Sequence, residues 1–123
     1  MNADTGVVLA GDAQIAATLS ARLFGLIGRK SLPPGYALGI GQCDWIHTFG
    51  VRLTIDVAYC DDTGRVLRLV ESLGPNRIAP RAPGASIAWE TETGGFRGRV
   101  QEGQHLVLQP AILPGPKTGR QKV

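Results

Sequence analysis

A chain of 123 residues with 43% hydrophobic and 19% charged side chains suits one globular domain and leaves no room for a second. Seventeen glycines and eight prolines argue for many turns and against a helical bundle, while the apolar content excludes a disordered chain. The net charge of +3 comes from Lys117, Arg120 and Lys122, because residues 1–109 hold ten basic and ten acidic side chains that cancel. A phosphate-gripping basic stripe is therefore not legible, and no nucleic-acid partner is expected.

The start, Met1-Asn2-Ala3-Asp4, lacks a basic leader, and the apolar run Val7 to Ala10 is too short for an export signal. The longest helix candidate is interrupted by Asp12, Gln14 and Arg22, so no transmembrane segment is expected. A cytoplasmic location follows as the expectation, with the two cysteines reduced.

Residues 5–10 read as a short β segment ending at Gly11, after which Asp12 can cap a helix by accepting from free backbone N–H groups. Ile15, Leu19, Leu23, Leu26 and Ile27 recur at helical spacing, which predicts an amphipathic helix over 13–27 that Gly28 stops. From residue 36 the pattern changes to short strands between turns, at 37–40, 43–48, 53–60, 65–71, 86–91 and 105–109. Asp61-Asp62-Thr63-Gly64 should turn one strand back on the next. Gly74-Pro75-Asn76 and Ala82-Pro83-Gly84 bracket a loop with a short extended piece, Arg77 to Pro80. The domain is expected to span 1–109, followed by a basic, Pro/Gly-rich flexible tail at 110–123.

The neighbouring segments 43–48 and 53–60 are expected to form a hairpin. Alternation puts Ile55, Val57 and Tyr59 on one face of the second strand and Asp56, Ala58 and Cys60 on the other. Setting Ile46 opposite Val57 brings His47 opposite Asp56, Trp45 opposite Ala58 and Cys43 opposite Cys60. Whether the two cysteines approach closely enough to pair is left open.

Three chemistries can be read from that arrangement. A metal site on Cys43, His47, Cys60 and His105 is disfavoured, since residues four apart on a strand lie roughly 13 Å apart, and no metal or cofactor is expected. Nucleophilic catalysis would use a cysteine, His47 as base and Asp56 as its orienter, as in a small hydrolase or transferase. A binding face would use Trp45 and His47, with Trp89 and with Arg52 or Arg77 at the rim. Glu90 reads as a structural carboxylate capping the turn after its strand. Arg22 reads as a structural cation for helix-end carbonyls or a neighbouring carboxylate.

Two longer stretches bear a resemblance. Ala21-Arg22-Leu23-Phe24-Gly25-Leu26-Ile27-Gly28-Arg29 and Ile46-His47-Thr48-Phe49-Gly50-Val51-Arg52-Leu53-Thr54-Ile55-Asp56-Val57 resemble the family called Domain of Unknown Function 192. Asp62-Thr63-Gly64, Pro75-Asn76-Arg77, Trp89-Glu90 with Gly94, and Gly103-Gln104 extend the match in order over about residues 9–108. The resemblance implies an uncharacterised prokaryotic α+β domain with a mainly antiparallel, curved or barrel-like sheet packed by one N-terminal helix. It supplies no activity. Some branches of the family carry Trp where His47 stands, which weighs against an essential imidazole. Val51, Thr54 and Gln104 replace the family's frequent Met, Pro and Asp.

The function expected from these features is a non-enzymatic accessory module that binds a small molecule or protein through Trp45, His47, Asp56, Arg52 and Trp89. The Cys/His/Asp hydrolase or transferase is the alternative, and association through a sheet edge is a third reading.

Overall fold

The computed structural model describes residues 1–16, 31–33, 35–110 and 120–122. These form strands β1 (Asp12–Ala16), β2 (Tyr36–Gly41), β3 (Ile55–Cys60), β4 (Val66–Leu73) and β5 (Ile87–Glu92), with two short strands, β6 (Gln109–Pro110) and β7 (Arg120–Lys122). All seven join one sheet in the order β4-β3-β5-β2-β1-β7-β6. The β1/β2 ladder is parallel and the other ladders are antiparallel.

The expected α+β class is corrected, because the described residues contain no helix. Residues 12–16, read as the cap and first turn of a helix, instead pair with β2 from Asp12 opposite Tyr36 to Ala16 opposite Ile40. The helical spacing depended on Ile15 as an inward residue, whereas Ile15 is exposed and Ala13 and Ala16 face the interior. Pairing with a neighbouring strand overrides a weak local preference. The remainder of that helix reading, including Arg22, lies outside the described residues, as do residues 111–119 and 123 of the expected tail.

Four expected strands are present within a few residues of their bounds, and alternation sorts their side chains correctly. Ile55, Val57 and Tyr59 of β3 lie in one core cluster with Leu38, Ile40 and Ala88. Ala58, Cys60, Trp89, Val66 and Phe96 lie in a second cluster on the opposite face. Trp89 stands opposite Gly39 in the β2/β5 ladder, where a Cβ on Gly39 would come within 2.7 Å of the indole. Gly39 is thus what lets the largest side chain of β5 lie flat on its neighbour.

The start of the chain is tied to its far end. Asn2 is fully buried and bridges Leu106, and its Nδ2 donates to the Arg99 carbonyl at 3.0 Å and to Gln104 Oε1 at 2.8 Å. Gln104 Oε1 also accepts from Gln101 N at 2.9 Å and so joins two loops.

Candidate functional site

The hairpin expected between 43–48 and 53–60 does not form. β3 is flanked by β4 and β5 instead, with Asp56 opposite Thr91, Ala58 opposite Trp89 and Cys60 opposite Ile87. The segment Asp44 to Thr48 crosses over the sheet and pairs with residues 77–82. Thr48 N donates to the Arg77 carbonyl at 2.8 Å, Ala79 N to Ile46 O at 2.9 Å and Ala82 N to Asp44 O at 2.9 Å. The link Phe49 to Arg52 is too long for a tight turn, so the first strand is free to swing to a different partner.

This two-stranded ribbon has an inner and an outer side. Ile46, Val51, Leu53, Ala79 and Ala82 are buried in the first core cluster, on the sheet face that carries Val57 and Tyr59. Ile46 is anchored there, its N–H donating to Tyr59 Oη at 3.0 Å, and burial pushes the Tyr59 phenol up to about 12. Thr48 is fully buried and closes the ribbon's end, donating through Oγ1 to Gly74 O at 2.6 Å and accepting from Arg77 N at 2.8 Å.

Alternation then turns the intervening side chains outward. Trp45 is 53% exposed, Phe49 48% and Ile78 57%. His47 stands opposite Ile78 and its ring lies 5.2 Å from the Phe49 ring, with Nδ1 accepting from Phe49 N at 3.3 Å. The Trp45 indole donates to the Ala79 carbonyl at 2.8 Å, while the Arg81 guanidinium sits 5.5 Å above its ring and reaches Asp44 at 3.4 Å. Arg68 on β4 donates to the Arg81 carbonyl at 3.4 Å. Arg52 and Arg77 are exposed at the Phe49 end and form no ion pair among the described residues. A donated indole hydrogen bond and a stacked cation fix Trp45 in place while leaving much of its surface in water.

Of the expected site residues, the structure thus brings Trp45 and His47 to one surface with Phe49, and leaves Arg52 exposed after the Phe49 loop. It takes Asp56 and Trp89 elsewhere. Asp56 is 1% exposed and accepts from Ser72 N and Gly94 N, each at 2.9 Å, and from Thr93 Oγ1 at 3.4 Å. It thereby fastens the bulge between β3 and β4 to the turn after β5, the capping task expected of Glu90. Trp89 is 4% exposed and helps wall a cleft of about 280 Å³ beside Asp62, Ile87 and Leu108. Ile78 and Arg81 were missed as site residues, although Arg77 to Pro80 was legible as an extended piece.

Glu90 lies on β5, an interior strand, between Leu38 and Val57, 4% exposed, with no hydrogen bond or ion pair from its side chain among the described residues. Burial pushes its carboxyl up to about 8. Cys60 is buried and its thiol is raised to about 12 by the same cause, while Cys43 Sγ lies 3.4 Å from the Trp45 carbonyl. Among the described residues no group of three or more His, Cys, Asp or Glu could hold a metal ion. Among the described residues no helix is long and apolar enough to cross a membrane.

The free edge of β4 is guarded. Gln104 O and Gly103 N take the Val66 backbone groups, each at 2.8 Å, and the Glu102 carboxylate accepts from Leu69 N at 3.1 Å. A carboxylate across an edge N–H blocks pairing with another strand.

Fold and surface together define a small, mainly antiparallel β-sheet domain with an aromatic ribbon laid over one face. The chain belongs to the Domain of Unknown Function 192 family, whose model, described as "Uncharacterized ACR", matches residues 2–108. No curated protein matches. Two solved structures share the fold at a TM-score of 0.68. One is a candidate transcription regulator from Sinorhizobium meliloti, 18% identical over 76% of this chain and 78% of its own. The other is a protein of unknown function from Novosphingobium aromaticivorans, 17% identical over 76% of this chain and 71% of its own.

Proposed function

We propose that this DUF192 domain is a non-enzymatic binding module whose working surface is the outer side of the ribbon, centred on Trp45, His47, Phe49 and Ile78. The observation that carries the reading is that three large, exposed apolar side chains lie on one ribbon whose alternate residues Ile46 and Ala79 are buried in the core. Exposed apolar groups gathered in one patch mark contact surfaces, and aromatic residues lead among those that supply binding energy.

The hydrolase or transferase reading loses two of its parts. Cys60 is buried with a raised thiol, so its nucleophilic form is suppressed. Asp56 spends its oxygens on backbone N–H groups and a threonine hydroxyl, leaving His47 without an orienting carboxylate from that residue.

Selection of a random peptide display library on the wild-type domain, with counter-selection on a Phe49→Ser/Ile78→Ser variant, tests the proposal. Peptides that bind the wild type and lose the variant support it. A library that yields no binder, or binders that hold both proteins equally, overturns it.

A further inference from the structure

We infer that the ribbon's partner is an acidic, extended peptide segment of another protein, a conclusion that rests on the binding reading above and adds its chemistry. The strip has exposed arginines toward both ends: Arg77, whose backbone pairs with Thr48, and Arg52 after the Phe49 loop on one side, and Arg81 over the Trp45 ring with Arg68 on its carbonyl on the other. The one carboxylate of the strip, Asp44, is already matched by Arg81. Arg52, Arg68 and Arg77 form no ion pair among the described residues, so the surface offers apolar contacts flanked by uncompensated positive charge, although residues 1–109 are neutral in sum. Guanidinium groups at a rim steer carboxylates and hold them bidentately once they arrive.

Other occupants fit less well. A second copy laid face to face would set the same arginines against each other, and like charges across an interface are repelled. The chain's own last residues carry Lys117, Arg120 and Lys122, the wrong sign for this rim. Single-stranded nucleic acid wants open aromatic faces and a long basic track, whereas Arg81 already covers the Trp45 ring and residues 1–109 have no net charge to draw a polyanion.

An alternating leucine–aspartate peptide, its leucine–lysine counterpart and oligothymidylate, each titrated into the isotope-labelled full chain, decide the matter by amide NMR. The expected result is that the aspartate peptide shifts amides of 44–52 and 76–82, that the lysine peptide does so at least about tenfold more weakly, and that raised salt weakens the aspartate complex. Arg52→Glu/Arg77→Glu should reverse the preference between the two peptides while leaving the remaining amide spectrum folded. Equal or tighter binding of the lysine peptide, preferential binding of oligothymidylate, or no shift in the ribbon overturns the inference. Display-selected peptides that need Phe49 and Ile78 but show no excess of Asp and Glu would refute the acidic class and leave the binding reading standing.

Discussion

The two sides of one ribbon are built from the same backbone, yet they are finished differently. On the inner side Thr48 and Tyr59 are hydrogen-bonded and the apolar residues are buried, so these side chains contribute to the fold. On the outer side Trp45, Phe49 and Ile78 keep about half their surface in water, an arrangement the fold does not require. The difference separates residues held by stability from residues left available for contact. Single exposed apolar side chains are ordinary; three on one short ribbon, rimmed by arginines, are not.

Substitutions that attack the fastened residues should give the largest losses. Asp56→Ala strands Ser72 N and Gly94 N and unfastens the β3/β4 bulge, with an expected cost of about 3 to 5 kcal/mol in urea unfolding. A change below 1 kcal/mol would show that water replaces the carboxylate. Thr48→Val keeps the shape but removes the hydroxyl that joins Gly74 to Arg77, and about 2 to 3 kcal/mol should be lost.

Glu90 gives a third, pH-dependent contrast. Its carboxyl is raised from 4.5 to about 8 in the folded chain, so between those values the folded state holds a proton that the unfolded state has released. Stability should therefore fall as pH rises through that window, and the Glu90→Gln chain should lose this part of the slope. Melting temperatures of the two proteins across the window check the sign; parallel curves would mean that Glu90 is not the group being titrated.

Much of the sheet was legible because strand alternation is local. Ile55, Val57 and Tyr59 were separated from Asp56, Ala58 and Cys60 by period alone, and the structure sorts them the same way. Partner choice was not legible, since it depends on which strand arrives from a distance. β5 displaces the expected 43–48 segment from the side of β3, and the His47/Asp56 pair disappears with it. The same competition converts Asp12–Ala16 from a helix start into a strand beside β2. Trp45 and His47 were recognisable as surface candidates by residue type and parity, while Ile78 and Arg81 became visible only when residues 77–82 were seen to run alongside them.

The central claim is that the outer residues are spare to the fold, and the smallest expected effect tests it most directly. Urea unfolding of Phe49→Ser/Ile78→Ser beside Ile46→Ser/Ala79→Ser compares the two sides in one experiment. The outer pair should stay within about 1 kcal/mol of the wild type, whereas the inner pair, which buries two hydroxyls and removes core volume, should lose more than about 3 kcal/mol or fail to fold. Equal losses from the two pairs would mean that Phe49 and Ile78 hold the domain together, and the outer surface would then have no claim to being a site.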